Sequence, residues 1–329
     1  MTGGVRYRFA SRVALGTCAS GLVFWLILRF IARSGEAPTW AALRLPWALA
    51  AVFSITLQIA MVALRWAFLA RELGAELRYP DALGAYYVSV LLNQLLPLGM
   101  LGDALRGVWH ARRIAADPAP ERPERPERPA FDAATALMLD RASGQFTLLA
   151  LTLPILPLWW APVHSIVSNS VSKFGPVALL VGLLAAVALG ALLSRFFRAT
   201  LRHTARARQV FFRPSALAVH TFCSAIAIVL NVVAFACTAR ALGFALPLGL
   251  AARVVPLVLL ASSLPSFAFG TGLREAAAAA LYRLLGLHAA EGAAIALSLG
   301  LLCFAASLPA LVLIARAVAR RAAPPRSSG

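Results

Sequence analysis

The chain has 329 residues, of which 60% are hydrophobic and only 13% are charged. A water-soluble domain of this length carries about a quarter of its residues as charges, so a soluble enzyme is excluded and a membrane-integral chain is indicated. The formal charge of +18 does not point to nucleic acid, because the arginines fall between apolar runs and lack the interleaved aromatics on which bases stack.

In chain order, the first apolar run covers 13–30 and follows Arg6, Arg8 and Arg12. At roughly 18 residues, with no small-x-small cleavage site, it reads as a retained anchor and not as a signal peptide. The second run, 46–70, is long enough to cross the ~30 Å hydrocarbon core. The next helix, 82–96, is only about 22 Å long, and Pro97-Leu98-Gly99-Met100-Leu101-Gly102 breaks it. A short helix over 103–113 leads to 118–129, whose Glu-Arg-Pro triplets are low-complexity and read as a solvated cytoplasmic loop. Residues 133–160 are apolar again but carry Asp140-Arg141-Ala142-Ser143-Gly144. A loop over 161–175 with one basic residue, Lys173, precedes a run over 176–194. Arg195, Arg198, Arg202, Arg206, Arg208 and Arg213 fill the following loop. A span over 215–239 comes next, then short stretches 248–264 and 273–287 about a turn at 265–272, and a last span over 292–315.

Orientation follows the lysine and arginine bias of short loops. Six spans with both termini in the cytoplasm satisfy it, with 317–329 as a basic cytoplasmic tail, in an inner membrane. The four cysteines, Cys18, Cys223, Cys237 and Cys303, all lie in apolar runs. They have neither a disulfide framework nor metal-ligand spacing and read as buried small hydrophobes. No metal or cofactor is expected.

An internal repeat organises the chain. Leu69-Ala70-Arg71-Glu72-Leu73-Gly74 and Thr238-Ala239-Arg240-Ala241-Leu242-Gly243 share Arg-x-Leu-Gly, 169 positions apart, each closing a long apolar helix. Downstream, Pro97 and Arg106 are matched by Pro265 and Arg274, each 168 positions later. The simplest path for the short helices is a re-entrant hairpin in each copy, entering from opposite faces. The expected fold is an all-α polytopic membrane protein with about six full spans plus two re-entrant helical hairpins in an inverted repeat. Repeat 1 covers about 46–195 and repeat 2 about 214–316 of one transmembrane domain, 1–329. The alternative, with both stretches as full spans, gives eight and places the arginines of 112–128 outside, against the charge rule.

The repeated turns concentrate the polar residues that are costly in a membrane: Asn93, Gln94, Asp103 and Arg106 at the first, Arg253, Arg274 and Glu275 at the second. Each turn is glycine-rich and delivers a helix N-terminus, where N–H groups and the dipole attract an anion. An arginine one turn on can fork a phosphate. The bland reading is that Asp103–Arg106 and Arg274–Glu275 merely neutralise one another. Asp140 and Arg141 are adjacent and cannot share a helix face, so each pairs with a different neighbour. Arg65, Gln58, Gln145 and Asn231 are read as interhelical hydrogen-bonding residues, and His110 as a snorkelling interface residue. No His-Glu-x-x-His, P-loop or Gly-x-Ser-x-Gly is present, and no catalytic residue is assigned.

Asn93, with Leu96-Pro97-Leu98-Gly99-Met100-Leu101-Gly102-Asp103-Ala104-Leu105-Arg106, resembles the N-x-x-x-P-G-x-x-G-G-D-x-x-R signature of the flippase-like domain family. That family includes the membrane domain of the lysylphosphatidylglycerol synthases (multiple peptide resistance factors). Asp140-Arg141-Ala142-Ser143-Gly144 is similar to its E-R-x-x-G element, and Gly270-Thr271-Gly272-Leu273-Arg274-Glu275 to its G-x-G-x-R-E. The three occur in the family's order, within about 53–315. Leu98 stands for the usual proline, Leu101 for a glycine and Asp140 for glutamate, while the charges are kept. In the synthases a soluble transferase domain follows. Here a short arginine tail follows instead, so the resemblance carries no aminoacyl transfer and the chain reads as a stand-alone member. Such members are linked with polyprenyl-linked sugars, hopanoids and aminoacyl lipids.

The resemblance implies lipid translocation between leaflets or membrane support for a lipid pathway. The glycine turns with Arg106 and Arg274 point to an anionic, phosphate-bearing lipid or lipid-linked precursor, with alternating exposure as the repeats rock. The substrate-binding candidates are Asn93, Pro97, Gly99, Gly102, Asp103, Arg106, Asp140, Arg141, Gly270, Gly272, Arg274 and Glu275. Expected partners are lipids with anionic headgroups and lipid-biosynthesis enzymes. The competing class is a non-catalytic membrane scaffold of a lipid or glycolipid biosynthesis complex, holding partners by its basic loops. A membrane transferase is disfavoured because no nucleophile–base pair is evident.

Overall fold

A computed structural model describes residues 22, 25–33, 43–74, 77–95, 101–116, 129–159, 205–263 and 272–322. The run 176–194, most of 13–30, the loop with Lys173 and nearly all of 118–129 lie outside the described residues. The helices are α1 Leu45–Glu72, α2 Tyr79–Leu95, α3 Leu101–Ala116, α4 Pro129–Thr152, α5 Ala205–Phe212, α6 Pro214–Ala241, α7 Leu248–Ser262, α8 Leu273–Leu284, α9 Ala289–Ser307 and α10 Pro309–Ala322. A 3₁₀ segment, Leu153–Trp159, extends α4. No strand occurs among the described residues.

The two long helices α1 and α6 are built alike. Each has 28 residues and a proline in its first two positions, where a missing N–H costs nothing. Each stops at a Leu-Gly pair whose glycine has positive φ, 79° at Gly74 and 90° at Gly243, a conformation that ends helices because side chains rarely adopt it. They pack against each other antiparallel. The Arg44 N–H at the start of α1 donates to the Ala241 carbonyl at 2.9 Å. At the other end Arg213 pairs with Glu72 at 3.1 Å. Their contact faces bury small residues, Ala48, Ala51, Ala63 and Ala70 against Ala216, Ala227, Ala234 and Ala241. In lipid, where apolar burial between helices gains little, close backbone approach over small residues holds helices together.

The outward surface is the inverse of a soluble protein's. Phe53 is 69% exposed and Phe222 64%, an apolar exterior suited to lipid. Four stretches are long and apolar enough to cross a membrane: Leu45–Glu72, Ala133–Trp159, Pro214–Ala241 and Ala289–Arg316. By contrast α2, α3, α7 and α8 have 17, 16, 15 and 12 residues, or roughly 18–26 Å. The chain is therefore a multi-pass helical membrane bundle.

Two local readings change. The apolar run 292–315 is not one helix. Leu308 forms a turn and Pro309 restarts the backbone as α10, because proline cannot continue the ladder. The arginine loop before the fifth span contains α5, anchored by Phe211, which is fully buried and stacks on His220 at 4.6 Å.

Candidate functional site

The α2–α3 hairpin is tied by one side chain. Asn93, near the end of α2, accepts from the Gly102 N–H at 2.8 Å and donates to Asp103 at 3.0 Å. It thereby satisfies an orphan donor at the start of α3. Ser89, one turn earlier, donates to the other oxygen of Asp103 at 3.1 Å. The helices approach so closely that a Cβ at Gly102 would lie 2.2 Å from the Ser89 carbonyl oxygen.

From α4, Asp140 and Arg141 enter this hairpin on separate faces. Arg141 pairs with Asp103. Asp140, fully buried, accepts from Arg65 Nε of α1 at 2.9 Å, from Arg106 Nη2 of α3 at 3.2 Å and from the Tyr86 hydroxyl of α2. Arg106 Nη2 also reaches Asp103 at 3.2 Å. Arg65 spans further, donating to Ser224 of α6 at 2.8 Å. Gly144 leaves room for its passage, since a Cβ there would lie 3.0 Å from Arg65 Nη1. One buried cluster thus joins α1, α2, α3, α4 and α6.

The cluster is unbalanced. Three guanidiniums (Arg65, Arg106, Arg141) face two carboxylates (Asp103, Asp140). Each carboxylate already accepts three or more hydrogen bonds or ion pairs, close to the capacity of two oxygens. Arg106 engages only Nη2, and its Nε and Nη1 are buried without a partner. Its guanidinium lies 3.7 Å from the Tyr86 ring centroid and 4.4 Å from that of Trp66, two rings set edge-to-face, which steadies the charge without cancelling it.

Arg106 lines an open cleft of about 470 Å³ between α2, α3 and α10. Its walls include Val88, Leu105, Trp109, Leu313 and Ile314. At its rim Asp81 pairs with Arg113 at 2.7 Å.

The second turn is arranged differently. Gly272, at φ 98°, caps α8, and its N–H donates to Glu275 Oε2 at 2.5 Å, the reciprocal half of a capping box. The other oxygen of Glu275 accepts from Arg274 Nε and Nη2 at 3.1 and 2.8 Å. Arg274 lies across Gly300 of α9, where a Cβ would be 2.3 Å from its Nη2. Cys303, one turn further on, lies near both Gln94 and Arg274, so α9 stands between the end of α2 and the start of α8.

Of the residues predicted for the site, Asn93, Gly102, Asp103, Arg106, Asp140 and Arg141 come together in one cluster, and Gly272, Arg274 and Glu275 in another. Pro97, Gly99 and Gly270 lie outside the described residues. Arg253 is exposed on α7 and joins neither cluster. Tyr86 and Trp66 were not foreseen. Arg65 is an interhelical hydrogen-bonding residue as read, but its partner is the central carboxylate. His110 is not an interface residue: it is fully buried, edge-on to Trp66 at 5.3 Å, because it lies one turn after Arg106 on the inward face of α3. No group of His, Cys, Asp or Glu able to hold a metal ion occurs among the described residues.

The described residues form a multi-pass helical membrane bundle with a buried arginine–aspartate cluster beside an apolar cleft. The chain belongs to the lysylphosphatidylglycerol synthase TM region family, whose model matches residues 12–319. No curated protein and no solved structure matches it.

Proposed function

We propose that this protein is a flippase-like transporter that moves an anionic, phosphate-bearing lipid or lipid-linked precursor across the inner membrane, without itself catalysing a covalent reaction. Family membership supports lipid handling in general terms. The observation that carries the anionic headgroup is the imbalance around Arg106: the carboxylates are saturated, while two buried guanidinium donors have no acceptor. Unmade hydrogen bonds of a buried charged group are costly, and a phosphate oxygen would supply them. Arg106 is the principal contact, with Asn93, Gly102, Asp103, Asp140 and Arg141 shaping it; Pro97 and Gly99 stay candidates on the sequence alone. Arg274, Glu275 and Gly272 are the matching candidates at the second turn, with Gly270 a candidate on the sequence alone.

The transport reading takes 1–329 as one transmembrane domain with inverted repeats at about 46–195 and 214–316, six spans and two re-entrant hairpins. The equal lengths, matched ends and antiparallel packing of α1 and α6 support that arrangement. In this reading both termini, the 118–129 loop and the 317–329 tail face the cytoplasm.

The test is headgroup accessibility of fluorescent anionic lipids in proteoliposomes, comparing wild type with Arg106→Ala/Arg274→Ala. Movement that depends on the wild-type protein and disappears in the double variant establishes translocation through the paired turns. Absence of movement with folded wild-type protein, across phosphate-bearing lipids of differing headgroup and chain, defeats the transport reading in favour of a scaffold for lipid-synthesis enzymes.

A further inference from the structure

The cleft beside Arg106 has few groups with which to recognise a headgroup. Its ionisable or hydroxyl-bearing side chains are Asp81, Ser89 and Arg106. Asp81 pairs with Arg113 through one oxygen and Ser89 donates to Asp103, while Arg106 holds two unpartnered donors, Nε and Nη1, buried in the cleft wall. A sugar or amino acid taken into such a space would lose many hydrogen bonds to water and recover few in exchange. A hydrocarbon chain would instead meet Val88, Leu105, Leu313 and Ile314.

Those walls also lead outward. Leu105 is 51% exposed, Leu313 37% and Ile314 36%, so the apolar lining continues onto the lipid-facing surface. No charged side chain lies along that edge among the lining residues Leu105, Leu313 and Ile314. Gly84 lines the cleft where α2 touches α10: a Cβ built there would sit 3.4 Å from Leu313 Cδ1, and any longer side chain would take up cleft space.

Resting on the reading of this cleft as an anionic-lipid site, we infer that it recognises the junction between a phosphate and a hydrocarbon chain, and not the group carried beyond the phosphate. Gly84 is the residue that sets the width available to the chain. Substituents on the phosphate remain outside the cleft, in water or among headgroups. The protein therefore sorts lipids by phosphate and chain.

The experiment measures binding to the purified full chain in nanodiscs, using phosphatidic acid, phosphatidylglycerol and a polyprenyl phosphate sugar, with diacylglycerol, glycerol 3-phosphate and inorganic phosphate as partial ligands. The three phosphate lipids are expected within about threefold of one another, and each partial ligand at least about tenfold weaker. Gly84→Leu should weaken all three lipids about tenfold yet leave the weak competition by inorganic phosphate unchanged. Leu313→Trp narrows the same cleft from the opposite wall and serves if the first variant does not accumulate.

Equal strength of glycerol 3-phosphate and the lipids would make this a free-phosphate site and overturn the inference. So would a tenfold preference among phosphate substituents, or full lipid binding by folded Gly84→Leu and Leu313→Trp. In each of these cases loss of binding in Arg106→Gln leaves the anion site standing. Unchanged binding in Arg106→Gln overturns the anion site together with the inference.

Discussion

The two turns carry an arginine at matching positions, 168 residues apart, and use it in opposite ways. At the second, Arg274 spends two donors on the adjacent Glu275, which also caps its own helix. The charges close on each other within a single helical turn. At the first, Arg106 shares one nitrogen between two carboxylates and keeps the rest free. The difference comes from the helix packed alongside. α4 brings Asp140-Arg141 into the first hairpin, whereas α9 brings glycine and small apolar residues to the second, its only charge being Glu291 at its start. A repeated turn fixes where an arginine stands, and the neighbouring helix decides whether it has charge to spare.

The largest expected effect comes from Asp140→Ala, which strands Arg65 and Arg106 together. Breaking a buried pair from one side costs about 3–5 kcal/mol, so a large fall in melting temperature in detergent is expected. A fall under about 1 kcal/mol would mean that water already reaches the cluster. Next is Gly102→Ala, whose Cβ meets backbone at 2.2 Å. A loss of about 1–3 kcal/mol should appear in denaturant unfolding, with the hairpin opened.

At the second turn the expected losses are smaller. Glu275→Gln keeps the shape but removes the charge that holds Arg274, at about 1–2 kcal/mol. If this costs as much as Asp140→Ala, the contrast between the turns is lost. Gly300→Ala collides with the end of a movable guanidinium, not with backbone, so under about 1 kcal/mol is expected in the same unfolding measurement. The smallest effect belongs to Arg113→Ala, which breaks an exposed pair worth about 0.2–1 kcal/mol. It should be seen as a shift of that size that vanishes in high salt.

The sequence made the long helices legible because apolar runs near 20 residues have few other uses. It also paired the turns, since Arg-x-Leu-Gly and the later arginines recur at nearly one spacing. Asp140 and Arg141 were separable onto different faces because neighbours in a helix point about 100° apart. What stayed hidden depended on contacts between distant segments. Arg65 meets a carboxylate 75 residues away, and Tyr86 meets the same one from another helix. Nothing local to either residue announces that. His110 was misplaced because the face of α3 that turns inward is set by Trp66 of α1. The cap at Glu275 is legible in the Gly272-x-x-Glu275 spacing, alongside its expected part in orienting Arg274. The break at Pro309 was likewise visible, and it creates the wall that defines the cleft.

The Arg65–Asp140 pair also imposes an order on biosynthesis. At about 5–20 residues per second, roughly 4–15 s separate the two ends of that pair during translation. In that interval α1 holds an unmatched cation, at a cost of about 2.5–3.5 kcal/mol for insertion, tolerated because the rest of the helix is apolar. Ser224 emerges later still, 159 residues after Arg65. Until α4 arrives, the nascent chain carries Arg65 without its carboxylate partner. Ribosome-arrested chains ending before and after residue 140 should differ in the protease resistance of α1. Identical resistance would mean that the helix settles without its partner.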